Sequence, residues 1–237
     1  MSVIIPVFNE RDSLPLVVRD IPRDLVSEII VVDNGSTDGT GLVAENLGVN
    51  GEPAVRLVRE PRRGYGSACL AGLAALETSP PEVVVFLDGD YSDHPEEMPL
   101  LLSAIAEGAD LVIGSRTLGK REPGALLPQA RLGNAFACFL IRLLYRYRYT
   151  DMGPVRAIRW EACRRLRMRD TNFGWTCEMQ VKALREKLRV AEVPVSYRRR
   201  VGVSKITGTV SGTLRAGWKI LWTIARYGSR KDVRREA

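Results

Sequence analysis

Three stretches of this chain hold residue types at spacings that can do chemistry. Asp88-Gly89-Asp90 follows the unbroken apolar run Val83-Val84-Val85-Phe86-Leu87. Two carboxylates two residues apart share a face if strand geometry continues, and converge on one cation if it turns. Their hard oxygens favour Mg²⁺ or Mn²⁺, ions that also bind phosphate oxygens. A cation held there would stabilise the charge that gathers on a departing diphosphate. Asp-Gly-Asp is also ordinary turn chemistry, so the motif alone does not decide. The second stretch is Arg199-Arg200-Val201-Gly202-Val203-Ser204-Lys205, a glycine-broken basic loop able to give charge-assisted hydrogen bonds to an anion. Its plain alternative is a solvated basic run. The third is Arg63-Gly64-Tyr65-Gly66, where glycine lets backbone approach a ligand closely or simply makes a tight turn.

These residues need a scaffold, and the hydrophobic pattern supplies one. Short β-branched runs at 3–7, 28–33, 54–58, 83–88 and 110–114 read as strands. Helical stretches separate them, among them 66–76 and 96–106, with Asp12 placed to cap the first and Asp38 at the entry to another. Strands alternating with helices imply βαβ units, hence an α/β domain with a mostly parallel sheet. Ligands in such sheets bind beyond the carboxyl ends of the strands, which is where Asp33 and Asp88 fall. The second half is less regular: a helix with arginines at 127–147, a short extended piece at 154–159, a helix at 175–187, a strand at 189–195 and an amphipathic stretch at 207–226.

A length of 237 residues and an apolar fraction of 45% suit one globular domain with a C-terminal extension. The four cysteines are far apart and form no Cys-x-x-Cys pair, which argues against a zinc site or disulfide framework and fits a reducing cytosol. No basic, apolar leader and no uncharged apolar run of spanning length stands out, so a cytoplasmic protein is expected. The net charge of +7 is concentrated toward the C-terminus and calls for an anionic partner. Trp218, Trp222 and Leu221 set among Arg215, Lys219 and Arg226 make a basic amphipathic helix. Such a helix suits peripheral contact with a membrane, or packs its tryptophans on the domain. No nucleic-acid motif or aromatic-studded basic stripe is present, so a nucleic-acid partner is not expected. His94, the lone histidine, cannot build a metal site and reads as a surface loop residue.

The blocks Val3-Ile4-Ile5-Pro6-Val7-Phe8-Asn9-Glu10, Val31-Val32-Asp33-Asn34-Gly35-Ser36-Thr37-Asp38-Gly39-Thr40 and Asp88-Gly89-Asp90 with Pro95 resemble family 2 glycosyltransferases of the GT-A fold, in type and in spacing. Gly114-Ser115-Arg116, Asp151-Met152-Gly153-Pro154, Phe173-Gly174-Trp175-Thr176-Cys177-Glu178 and Gly202-Val203-Ser204-Lys205 extend the likeness to the polyprenyl-phosphate sugar transferases. The resemblance implies a GT-A domain over 1–206, with a nucleotide-binding half to 116 and an acceptor half after it, and a basic tail over 207–237. It implies that Pro6, Phe8 and Glu10 contact the nucleoside, that Asp33 bonds base or ribose, and that Gly66 lines the nucleotide pocket. Asp88 and Gly89 would lie near the nucleotide, and Asp90 would be the main metal ligand, with Asp88 beside it. Arg199 and Lys205, six apart, would close over the donor diphosphate. Arg116 and Arg131 would hold an acceptor phosphate.

The expected activity is inverting transfer from a UDP- or GDP-sugar, dependent on Mg²⁺ or Mn²⁺, to a polyprenyl phosphate. Glu178 has a role that depends on the acceptor. A hydroxyl must lose a proton as it attacks, and Glu178 would be the base. A phosphomonoester is largely ionised at pH 7 and attacks without help, which leaves Glu178 a structural carboxylate. A non-catalytic nucleotide-sugar sensor would be expected to lose a metal ligand or the basic loop, and this chain keeps both.

Overall fold

The computed structural model describes residues 1–49, 54–202, 221–224 and 226–227. Its centre is a seven-stranded sheet: β1 (Ser2–Val7), β2 (Glu28–Asp33), β3 (Ala54–Arg59), β4 (Val83–Phe86), β5 (Leu111–Ser115), β6 (Arg156–Arg159) and β7 (Val190–Pro194), in the order β3-β2-β1-β4-β6-β5-β7. The pairs β1–β2, β1–β4, β2–β3 and β5–β7 are parallel, while β6 runs antiparallel to both β4 and β5. The sheet is thus mostly parallel, with one reversed strand in its middle.

Alternate side chains of the strands feed two cores. Ile4, Ile30, Val32, Val84 and Phe86 face one way, onto α3 (Tyr65–Leu76), α5 (Pro128–Tyr145), α6 (Trp160–Leu166) and α7 (Trp175–Arg185). Val3, Ile5, Ile29, Val31, Val83 and Val85 face the other way, onto α1 (Leu14–Asp20), α2 (Thr40–Val49) and α4 (Met98–Ala106). A strand covered on both faces reads as a continuous apolar run, which is why β1, β2 and β4 were visible in the sequence.

The strand expectations hold to within a residue or two. Helix α6 was not foreseen: it starts directly from β6 with no turn residue between them. Asp12 does not cap α1; Ser13 holds the cap position without a side-chain bond, and Asp12 pairs with Arg11 at 2.9 Å. Asp38 does cap, accepting from the Thr40 amide at 3.0 Å. All four cysteines are free and buried. Among the described residues no helix is long and apolar enough to cross a membrane. The boundary expected at residue 206, Lys205 and most of the 207–237 segment lie outside the described residues.

Candidate active site

The chain order places β1 beside β4 as well as β2, and the loops leaving their carboxyl ends diverge there. That is the switch point where open α/β sheets form a crevice. Here it is a cleft of about 440 Å³, within the size range of small-ligand sites. Pro6, Phe8 and Glu10 reach it from β1, Asn34 from β2, Arg63, Gly64, Tyr65 and Ala68 from the entry to α3, and Asp88, Gly89 and Asp90 from β4. Asn172, Phe173 and Arg200 come from the second half.

The first two loops lock each other. Asn9 adopts φ 57°, a conformation asparagine tolerates. Its amide donates to Ser36 Oγ at 3.0 Å and its Oδ1 accepts from the Thr37 amide at 2.8 Å. Asp33 accepts from the Ser36 amide at 2.9 Å and so builds the turn; it is not part of the cleft lining. Its neighbour Asn34 is, and it clips the 60–64 loop through the Gly64 amide (2.7 Å) and the carbonyls of Glu60 (2.9 Å) and Arg62 (2.7 Å). The Arg63 guanidinium carbon lies over the Phe8 ring, 3.7 Å from its centroid. Gly66 stands apart from the lining. A side chain there would meet the Asp170 carbonyl, so glycine is required because the 170–171 segment crosses the start of α3.

After β4 the chain turns sharply. Gly89 sits against Val7, which a Cβ would contact at 2.6 Å, and Tyr91 takes φ 63°. The turn leaves three carboxylates close enough to repel. Asp90 is 5% exposed. Its Oδ1 accepts from the Ser92 amide (2.9 Å) and hydroxyl (2.5 Å), and its Oδ2 pairs with Arg200 Nη2 at 2.6 Å. Asp88 has a buried Oδ1 with no hydrogen-bond partner among the described residues. Burial, followed by the charge of Asp90, pushes its carboxyl up to about 7, while Arg200 and the Tyr65 hydroxyl pull the other way. Asp93 is buried, and neither of its oxygens has a hydrogen-bond partner among the described residues. Burial together with Asp88 and Asp90 raises it well above the carboxylate range.

A divalent cation fits these groups. The donors of Asp88 and Asp90 are all oxygen, and Asp88 Oδ1 is buried with no partner among the described residues. Among the described residues no three acidic, histidine or cysteine side chains form a metal cage. Asp88 and Asp90 are the residues that could hold a cation here, whose charge would be set against phosphate oxygens of a ligand.

The second half places its residues less simply. Arg199 turns away from the cleft: its Nε donates to the Pro123 carbonyl at 2.8 Å and its amide to Glu122 at 2.8 Å. Arg200, one residue on, is the basic residue at Asp90. Arg116 makes a two-point pair with Asp151, Nε to Oδ2 and Nη2 to Oδ1, each at 2.8 Å. Arg131 is exposed in the first turn of α5. Glu178 does not line the cleft. It is fully buried, accepting from the amides of Arg169 (3.1 Å) and Asp170 (2.7 Å), from Lys182 Nζ (2.8 Å) and from the Tyr227 hydroxyl (2.8 Å). His94 is half-buried and bonds Glu96 at 2.8 Å. Missed by sequence reasoning were Asn34, Asn172, Phe173 and Arg200, which line the cleft, Asp93, buried beside Asp88 and Asp90, and the structural Arg156. Arg156 is fully buried and donates to the carbonyls of Gly153, Pro154 and Thr176. Asp93 alone carried a readable signal, its place three residues after Asp90.

The sequence matches the family described as "Glycosyl transferase family 2" over residues 2–170. It is 34% identical over 221 residues to an undecaprenyl-phosphate mannosyltransferase of Micrococcus luteus, covering 88% of each chain. It is 33% identical over 217 residues to a polyprenol monophosphomannose synthase of Mycolicibacterium smegmatis, covering 87% of this chain and 81% of that one. A crystal structure of glucosyl-3-phosphoglycerate synthase from Mycobacterium tuberculosis with Mn²⁺, UDP and phosphoglyceric acid superposes with a TM-score of 0.74 at 22% identity, over 96% of this chain and 78% of that one. With the cleft at the switch point and the family match over most of its length, the chain belongs to glycosyl transferase family 2 and is a glycosyltransferase.

Proposed function

We propose that this enzyme moves a sugar from a nucleoside-diphosphate sugar to a polyprenyl phosphate, with inversion at the anomeric carbon. The observation that carries the reading is Asp88, a carboxylate whose buried Oδ1 has no partner among the described residues, next to Asp90 in the lining of the cleft. A cation bound there would supply the charge that a leaving diphosphate needs. The chain's own groups do the rest. Phe8 and Arg63 form a flat wall against which a base can stack. Asn34 fixes the loop carrying Arg63 and Gly64. Arg200 and the wider basic loop, Lys205 included, offer the diphosphate charge-assisted bonds. The acceptor oxygen attacks C1 from the face opposite the diphosphate, so positioning supplies much of the catalysis.

Three further observations support a lipid-phosphate acceptor over a hydroxyl. Glu178 is engaged by four donors, so it is not poised as a base, and a phosphate acceptor needs none. Arg116, held by its two-point pair with Asp151, is the guanidinium we assign to an acceptor phosphate, which would meet N–H donors that Asp151 does not use. Helix α5 also exposes Leu132, Phe136, Phe139 and Leu143, with Phe136 50% and Leu132 73% open. Their spacing of four, three and four puts them on one face, and Arg131 and Arg142 stand exposed nearby. An apolar stripe with arginines beside it suits the surface of an anionic bilayer. The two named relatives make mannose the first sugar to test.

The test is transfer from UDP- and GDP-sugars with Mn²⁺ or Mg²⁺, with and without a short polyprenyl phosphate in anionic vesicles. Metal-dependent formation of the lipid-phosphate sugar is expected, with chelator abolishing it. Metal-dependent donor hydrolysis that the lipid leaves unchanged would move the acceptor to a hydroxyl.

A further inference from the structure

We propose that Arg200 is a built-in counter-cation of Asp90, which a divalent cation has to displace and which the donor's diphosphate then receives. This rests on the reading of Asp88 and Asp90 as the cation site.

Asp90 has little spare bonding capacity. Ser92 occupies Oδ1 with two donors, and the Arg200 guanidinium occupies Oδ2 at 2.6 Å. A divalent ion ligated at Oδ2 would stand within a few ångströms of that guanidinium. Two cations cannot share one carboxylate oxygen at that range without strong repulsion. One must yield, and a side chain yields more easily than a backbone.

The backbone around Arg200 is held. The Val201 amide donates to the Asp90 carbonyl at 3.0 Å and the Arg198 amide to the Ser92 carbonyl at 2.9 Å. Arg198 also donates to the Asp93 carbonyl at 2.8 Å and stacks on Tyr91, 3.6 Å from the ring centroid. The basic segment is therefore stitched to the turn that carries Asp88 and Asp90. Successive side chains of an extended segment point opposite ways, so Arg199 goes out to Pro123 and Arg200 goes in. When displaced from Asp90, Arg200 swings about its own side-chain bonds and stays in the cleft it lines. A diphosphate there offers the planar guanidinium a two-point anionic partner as good as the one it loses.

The consequence is coupling. Without nucleotide, Arg200 opposes the cation. With nucleotide, the opposition is relieved, so each ligand favours the other, and by linkage the factor is the same in both directions.

The experiment is Mn²⁺ titration, reading free ion by paramagnetic resonance, on wild type, Arg200→Ala, Arg200→Lys and Asp90→Asn, alone and with UDP or GDP. Thermal melts check that each variant is folded. Arg200→Ala is expected to bind Mn²⁺ alone about tenfold tighter than wild type, and the gain in Mn²⁺ affinity on adding nucleotide is expected to shrink by about the same factor. Arg200→Lys should fall between the two. Unchanged or weaker Mn²⁺ binding by Arg200→Ala overturns the competition. Tighter binding with an undiminished nucleotide gain overturns the transfer to the diphosphate. Mn²⁺ binding that is the same in wild type, Arg200→Ala and Asp90→Asn overturns the cation site itself, and this inference with it.

Discussion

Glu178 and the Asp88–Asp93 turn both take carboxylates out of water, and the fold treats them in opposite ways. Glu178 is met by two backbone amides, an ammonium and a hydroxyl. It ties the 169–170 segment to α7 and to Tyr227, and it resembles a post in a frame. In the turn after β4, one oxygen of Asp88 and both of Asp93 lack a partner among the described residues, and the repulsion between neighbouring carboxylates is left in place. Unsatisfied buried acceptors cost stability, so a fold keeps them where something else gains. The contrast separates a carboxylate that builds the protein from carboxylates that wait for a ligand, and no sequence motif draws that line.

The largest expected effect tests the second kind. Asp90→Ala should lower transfer by about 10³-fold or more, since stabilisation of the leaving group goes with it. Its melting temperature should fall by less than that of Glu178→Ala, because the repulsion from Asp88 that it relieves offsets part of the bonding to Ser92 and Arg200 that it removes. Turnover near the wild-type level would sink the metal assignment. Glu178 should behave in the reverse manner. Glu178→Ala strands four donors that met a buried carboxylate and should cost about 3–5 kcal/mol, seen as a melting temperature lower by roughly 10 °C. Well below that temperature its turnover should remain within about threefold of wild type. A well-folded Glu178→Gln protein that loses about 10²-fold or more in turnover would restore Glu178 as a base.

The same contrast explains which parts of the molecule were legible in the sequence. Strands β1, β2 and β4 are buried on both faces, so they are written as apolar runs, and the polar residues that end them mark the site. Pro6, Phe8, Glu10, Asp88 and Asp90, singled out by that rule together with the family likeness, line the cleft. Arg200 was missed in favour of Arg199 because an extended segment alternates, and its phase is set by pairing with a turn about a hundred residues earlier. Glu178 invited a catalytic role because three of its four partners, the Arg169 and Asp170 amides and the Tyr227 hydroxyl, lie off its own helix, where spacing gives no sign of them. Gly66 was taken for a ligand contact, and its close neighbour proved to be the chain itself, at the Asp170 carbonyl.

The strain in the turn should be measurable as a dependence on pH. The Asp88 carboxyl lies at about 7, above its ordinary 3.8. Between those values the folded chain holds a proton that the unfolded chain has released. The contribution to stability is therefore complete below about pH 4 and is lost as pH rises through about 7. Asp88→Asn is neutral at every pH and close in shape. In chelator, it should melt within about 3 °C of wild type at pH 4.5 and roughly 10 °C higher at pH 8. Equal differences at the two pH values would mean that the charge on Asp88 is not what the fold opposes.

The smallest effect probes how completely Glu178 is satisfied. Tyr227 is the one of its four partners that comes from the far end of the described chain, and it sits near Lys182 and Arg185 as well. Tyr227→Phe removes the hydroxyl and keeps the ring, so it deletes one donor and leaves the packing against α7 in place. Amides and an ammonium still hold the carboxylate, and the loss should be about 1–2 kcal/mol, a fall of roughly 2–5 °C in melting temperature with turnover unchanged. In a Glu178→Ala background the same change should cost much less, because the hydroxyl no longer has its acceptor; the difference between the two backgrounds is the coupling energy of the bond. A cost that is the same in both backgrounds would show that Tyr227 contributes through its ring alone, and that three donors are enough to make Glu178 part of the frame.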